Sequence, residues 1–140
     1  MKRIQKLACL FVLVFLSVTA CGSDEYGEVQ DLLSKQVQVT EDYVNGLEQA
    51  SSADDVAAAI DRFTEGLKTL IPEIKESQEK FPELWDGEGE VPKEIKAEQE
   101  RLEAANSKIQ GATMNMMKYM GDPKVQQAMD NMGREMSRLQ

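Results

Sequence analysis

An all-α fold, an antiparallel three-helix bundle with a shorter fourth helix at the C-terminus, is predicted by three features of this 140-residue chain. Apolar residues recur at spacings of three and four through three long stretches and one shorter one, the period that places side chains on one face of a helix. Aromatic residues make up only 6% of the sequence, which favours aliphatic helix packing over a β-sandwich. A single segment, Asp86-Gly87-Glu88-Gly89-Glu90, has the composition of a medium-length loop, so the helices follow one another closely and pack as an up-and-down bundle.

The first helix is expected from near Glu25, after the polar spacer Gly22-Ser23-Asp24, with Tyr26, Val29, Leu33, Val37, Val44 and Leu47 as its apolar line. Lys35, Glu41, Asp42 and Glu48 occupy its other faces. Ser51 and Ser52 followed by Asp54 and Asp55 form a capping-box-like start for the second helix, with the acids placed against first-turn N–H groups. Val56, Ile60, Phe63, Leu67, Leu70 and Ile74 then alternate at four and three, a heptad-like seam that can run on to Phe81. Pro72 deletes a backbone donor and crowds the carbonyl four residues back, at about 3 kcal/mol in a helix interior. Because the apolar period continues through Ile74, a kink rather than an end is expected there.

Phe81 to Val91 reads as the loop. Pro92 at the first helical position, with Glu94 behind it, starts the third helix, which runs to about Met120. Its apolar line is Ile95, Leu102, Ile109, Met116 and Met120, with Ala105 and Ala112 between. Gly121-Asp122-Pro123 is a stop and restart, with Gly suited to a left-handed C-cap, Asp to an N-cap and Pro to the first helical position. The fourth helix carries Val125, Met129, Met132, Met136 and Leu139.

Ahead of these helices, Lys2, Arg3 and Lys6 precede an apolar run from Leu7 to Leu16 that is shorter than the ~20 residues of a spanning helix. This is the pattern of a secretion signal, with cleavage expected after the small residue Ala20. Residues 1–20 are therefore read as a signal peptide, 21–24 as the mature N-terminus and spacer, and 25–140 as the helical domain. Cys9 lies inside the apolar run, so Cys21 has no partner cysteine once the signal is removed. An unpaired exported thiol is uncommon, and a modified one resolves the anomaly.

The segment Val18-Thr19-Ala20-Cys21 resembles the processing box of bacterial lipoproteins, commonly Leu, then Ala or Ser, then Gly or Ala, then Cys, from which Val18 and Thr19 differ at the first two positions. The resemblance covers about the first 21 residues. It implies that the Cys21 sulfur carries a diacylglycerol thioether, that signal peptidase II leaves Cys21 as the first mature residue, and that its amino group is acylated as well, with palmitate as the expected chain. Two or three acyl chains, at ~0.8 kcal/mol per buried methylene, hold durably where one holds marginally. An Asp after the cysteine tends to retain Gram-negative lipoproteins in the inner membrane; with Gly22 there, the resemblance implies the periplasmic leaflet of the outer membrane in such a host.

Removing residues 1–20 leaves 13 basic against 25 acidic residues, a net charge of −12. Such a field opposes phosphate backbones and anionic head groups, so nucleic acid is not expected as a partner and membrane attachment falls to the lipid. The chain has no histidine, no glycine-rich phosphate loop and no Gly-x-Ser-x-Gly elbow, and Cys21 is its only cysteine outside the signal. Histidine acid–base chemistry, cysteine nucleophiles and Cys/His zinc sites lack their residues, so neither enzymatic activity nor a cofactor is expected.

All seven methionines beyond Met1 fall between Met114 and Met136. Thioethers are soft ligands suited to Cu(I), yet Met also fills irregular gaps in apolar helix faces. Met116 and Met120 continue the line of Ile109, and Met129, Met132 and Met136 share a stripe with Val125 and Leu139, so these are expected in the core. Met114 and Met117 fit that line less well; a copper site across the hairpin, if formed, would draw on Met114, Met117 and Met120.

Asp86, Glu88 and Glu90 lack the ligand spacing of an EF-hand and read as a solvated acidic turn, with Trp85 capping the bundle end. Glu73 with Glu76 and Glu98 with Arg101 read as solvated charged faces. The expectation is a membrane-anchored envelope lipoprotein that acts as a non-enzymatic interaction or structural module towards another envelope protein. A periplasmic Cu(I) carrier is the alternative.

Overall fold

The computed structural model describes residues 26–86 and 90–138. Residues 1–25, where the signal peptide, Cys21 and its spacer are expected, together with 87–89 and 139–140, lie outside the described residues. The described chain is all-helical: α1 (Gly27–Gln49), α2 (Ala53–Lys80), the single turn α3 (Pro82–Trp85), α4 (Lys93–Met117) and α5 (Pro123–Ser137).

The start of α2 is built as its sequence suggests. The Ser52 hydroxyl accepts from the Asp55 N–H at 3.2 Å, and the Asp55 carboxylate accepts from the Ser51 N–H and the Ser51 hydroxyl, each at 3.0 Å. These bonds, led by that from the Ser51 backbone, hold the Asp55 carboxyl below its ordinary range. From there α2 runs 28 residues and passes through Pro72 without ending, with Leu70 buried before the proline and Ser77 after it.

The predicted loop from Phe81 to Val91 instead contains α3. Pro82 opens it, the Asp86 N–H closes it on the Pro82 carbonyl at 3.1 Å, and the Trp85 indole N–H donates to the Ser77 hydroxyl at 3.2 Å. Pro92 is one position earlier than expected: it is the N-cap of α4, with extended backbone at ψ 142°, and its carbonyl accepts from the Ile95 N–H. The other end of α4 is also corrected. The helix stops at Met117, after which Tyr119, Met120 and Asp122 each bond to a carbonyl three residues back, and this tightened descent leaves Gly121 outside the left-handed region. Asp122 then caps α5 through the Lys124 N–H at 2.9 Å, with Pro123 at the first position.

Helix α1 packs against α2 on one side and α4 on the other, and α5 lies along α2. The pairs Gly46 with Ala59, Tyr43 with Phe63, Val39 with Gly66, Lys35 with Glu73 and Glu28 with Lys80 run in opposite directions, so α1 and α2 are antiparallel. A Cβ at Gly46 would fall 2.9 Å from the Ala59 Cβ, and one at Gly66 2.8 Å from a Val39 γ-carbon, so these glycines permit the close approach. Gln30 meets Glu98 and Asn115 reaches Leu47, so α1 and α4 are parallel. A closed three-helix bundle would also press α2 against α4, and that pair is not among the packed ones.

This arrangement explains which residues the apolar lines left out. Because α1 has neighbours on two sides, its buried face includes Leu32, Thr40 and Tyr43 beside Val29, Leu33, Val37, Val44 and Leu47. In α5 the buried pair is Val125 and Ala128, a small residue at which the helix sits close to α2.

Candidate functional site

Two apolar clusters divide the bundle lengthwise. The larger joins Tyr43, Val44, Leu47 and Ala50 to Val56, Ala59 and Ile60, to Ala112 and Met116 of α4, and to Val125 and Ala128 of α5. The smaller, at the opposite end, is Val29, Leu33 and Ile95, with Tyr26, Phe81, Leu84 and Leu102 packed against it.

Asn115 is the polar hinge-pin of the larger end. Its amide donates to the Leu47 carbonyl at 2.7 Å and to the Ala50 carbonyl at 3.1 Å, satisfying two acceptors where α1 ends, while its own oxygen accepts from the Lys118 ammonium at 3.0 Å. This role was not read from the sequence. The signal for it is an Asn between Met114 and Met116 at three residues from Ala112, a polar residue at helical spacing from the apolar line.

By fixing α4 against α1, Asn115 also sorts the methionines. Met116 is 8% exposed in the core, and Met129 and Met132 pack against it half-buried, as their spacing predicts. Met114 and Met117 are 70% and 65% exposed. Met120 and Met136, expected in the core, are instead 37% and 43% exposed, because α4 has ended before Met120 and α5 carries no fully buried residue beyond Ala128. The three copper candidates Met114, Met117 and Met120 thus all reach solvent at the end where α4 turns into α5.

Elsewhere the chemistry is spare. A cleft of about 390 Å³ between α1 and α2 is lined by Tyr43, Phe63, Gly46, Val39 and Arg62, with the two rings stacked at 4.4 Å. Burial pushes the Tyr43 phenol up, and the Arg62 Nε donates to the Ala58 carbonyl. Surface pairs tie helices together, Lys35 to Glu73 at 2.7 Å, Lys80 to Glu28 at 2.8 Å and Lys124 to Asp54, while Lys80 also meets Glu76 of its own helix at 2.9 Å. Such exposed pairs are screened by solvent and contribute little to stability.

Glu98 and Arg101 part company. Arg101 meets Glu41 at 3.4 Å, whereas Glu98 turns toward Gln30, and its Oε2 is buried with no hydrogen-bond partner among the described residues. Glu98 is therefore not the solvated surface residue its spacing suggests. Among the described residues, no three or more His, Cys, Asp or Glu side chains are grouped to hold a metal ion, and no helix is long and apolar enough to cross a membrane. No family model, no curated protein and no solved structure matches the chain.

Proposed function

We propose that this chain is a bacterial envelope lipoprotein, held to the membrane by acyl chains on Cys21, whose helical domain serves as a non-enzymatic interaction module towards another envelope protein. The observation that carries the reading is Val18-Thr19-Ala20-Cys21 at the end of a basic start and an apolar run, with no second cysteine in the mature chain. The acidic mature sequence supports it, since electrostatics alone would push the domain away from an anionic bilayer.

In this reading the anchor orients the bundle. Cys21 stands six residues before Gly27, a span of at most roughly 20 Å, so the Tyr26, Phe81 and Leu84 end would face the membrane. The 23 residues of α1 then carry the Asn115 end roughly 35 Å further out, and with it the exposed Met114 and Met117. Flexible thioethers suit adaptable contact surfaces.

A photo-crosslinking residue at position 117, tested in cells, should give one defined protein adduct, and the same residue at position 83, at the opposite end, should not. No adduct from position 117, or equal adducts from both, would remove the interaction reading. Solvent access at Met114, Met117 and Met120 favours a second reading, a Cu(I) carrier. Titration with Cu(I) under reducing conditions separates the two: failure to compete with a weak chelator leaves only the interaction module.

A further inference from the structure

The run Met114-Asn115-Met116-Met117 places thioethers on both sides of a sharp boundary. Asn115 is tied to the Leu47 and Ala50 carbonyls, Met116 points into the core at 8% exposure, and the methionines on either side of that pair stand in solvent. Oxidation of a methionine follows access to its sulfur, and conversion to the polar sulfoxide disrupts a core but costs no packing at a solvated position. The same residue type therefore has two fates within four residues.

We propose that Met114 and Met117, followed by Met136 and Met120, form a surface site of methionine oxidation by peroxides, segregated by the fold from Met116, Met129 and Met132. In the step itself the Met sulfur lone pair attacks one oxygen of hydrogen peroxide. The S–O bond forms, the O–O bond breaks, and the departing hydroxide takes the proton of the oxygen now bound to sulfur, giving the sulfoxide and water. The sulfur loses two electrons and the peroxide gains them, with no base required from the protein. The product changes the exposed end of the α4–α5 turn from apolar to polar while the larger core, which depends on Met116, stays closed. The inference rests on exposure and on the Asn115 tie, and it holds whether or not Cys21 is acylated.

The test is a hydrogen peroxide time course on the full chain, with peptide mapping of the added oxygen at each methionine and circular dichroism on the same samples. Met114 and Met117 should oxidise at least about fivefold faster than Met116, with helicity unchanged when both are converted. In denaturant all should oxidise at a common rate. The Met114→Leu, Met117→Leu double variant, conservative at solvated positions, should lose the fast phase and keep the slow one. Equal rates for Met114 and Met116 in the folded chain, retention of the fast phase in the double variant, or helix loss in step with the first two oxidations would overturn the proposal.

Discussion

At the end where α1 turns into α2 and α4 into α5, eleven buried residues from four helices share one core, and Leu47, Val56, Ile60 and Val125 within it are fully enclosed. At the other end three buried residues, Val29, Leu33 and Ile95, are completed by half-buried neighbours and a tilted pair of rings, Tyr26 and Phe81, 5.6 Å apart. The caps follow the same division: Ser52 and Asp122 accept backbone bonds at the larger end, whereas α1 and α4 begin at the smaller end with no side-chain cap. Burial and capping are thus concentrated at one end, and the smaller end is the one expected to open first.

The largest test of that contrast is a matched pair of truncations. Ile60→Ala, in the larger cluster, should cost about 3 to 4 kcal/mol in urea unfolding, and Ile95→Ala, in the smaller, about half as much because the site can collapse. Equal costs would break the comparison. Next, Asn115→Leu strands the Ala50 carbonyl, leaves the Leu47 carbonyl only its bond from the Ala50 N–H, and should cost about 2 kcal/mol, and it should also speed oxidation of Met116 by loosening α4.

Ser52→Ala removes one cap and should cost about 1 kcal/mol by the same measurement. The Asp55 carboxyl in that cap is held below its ordinary range, so its contribution to stability is present above the ordinary carboxylate pKa and is lost as pH falls through the lowered folded value. An Asp55→Asn chain should therefore show a shallower acid-side decline in stability than the parent. The smallest effect lies at the weaker end: Glu98→Met replaces a carboxylate whose Oε2 is buried without a partner and should raise stability by about 0.5 to 1 kcal/mol. A loss there would show that Glu98 is compensated.

Much of this was legible in the sequence where one period or one cap decides the outcome. The seam from Val56 to Leu70 is buried at Val56, Ile60 and Leu70, and the Ser51–Asp55 and Asp122-Pro123 starts form as their residues require. Periodicity assigns a face but not where a helix stops, so it extends the apolar line to Met120, into a core that α4 no longer reaches. Nor does it say how many neighbours a helix has, so the second buried side of α1, at Leu32 and Tyr43, was missed. Asn115 and Glu98 were missed for a related reason: a polar residue facing inward is recognisable only once its partner, or the lack of one, is in place.

Which of the two ends faces the membrane follows from the proposed anchor, and the intact mass and N-terminal sequence of the protein extracted from its own membranes test that anchor directly. A mature chain that begins at Cys21 and carries a diacylglycerol thioether is expected, with a Cys21→Ala chain released from the membrane fraction. An unmodified Cys21 thiol, or a Cys21→Ala chain retained as firmly as the parent, would contradict it.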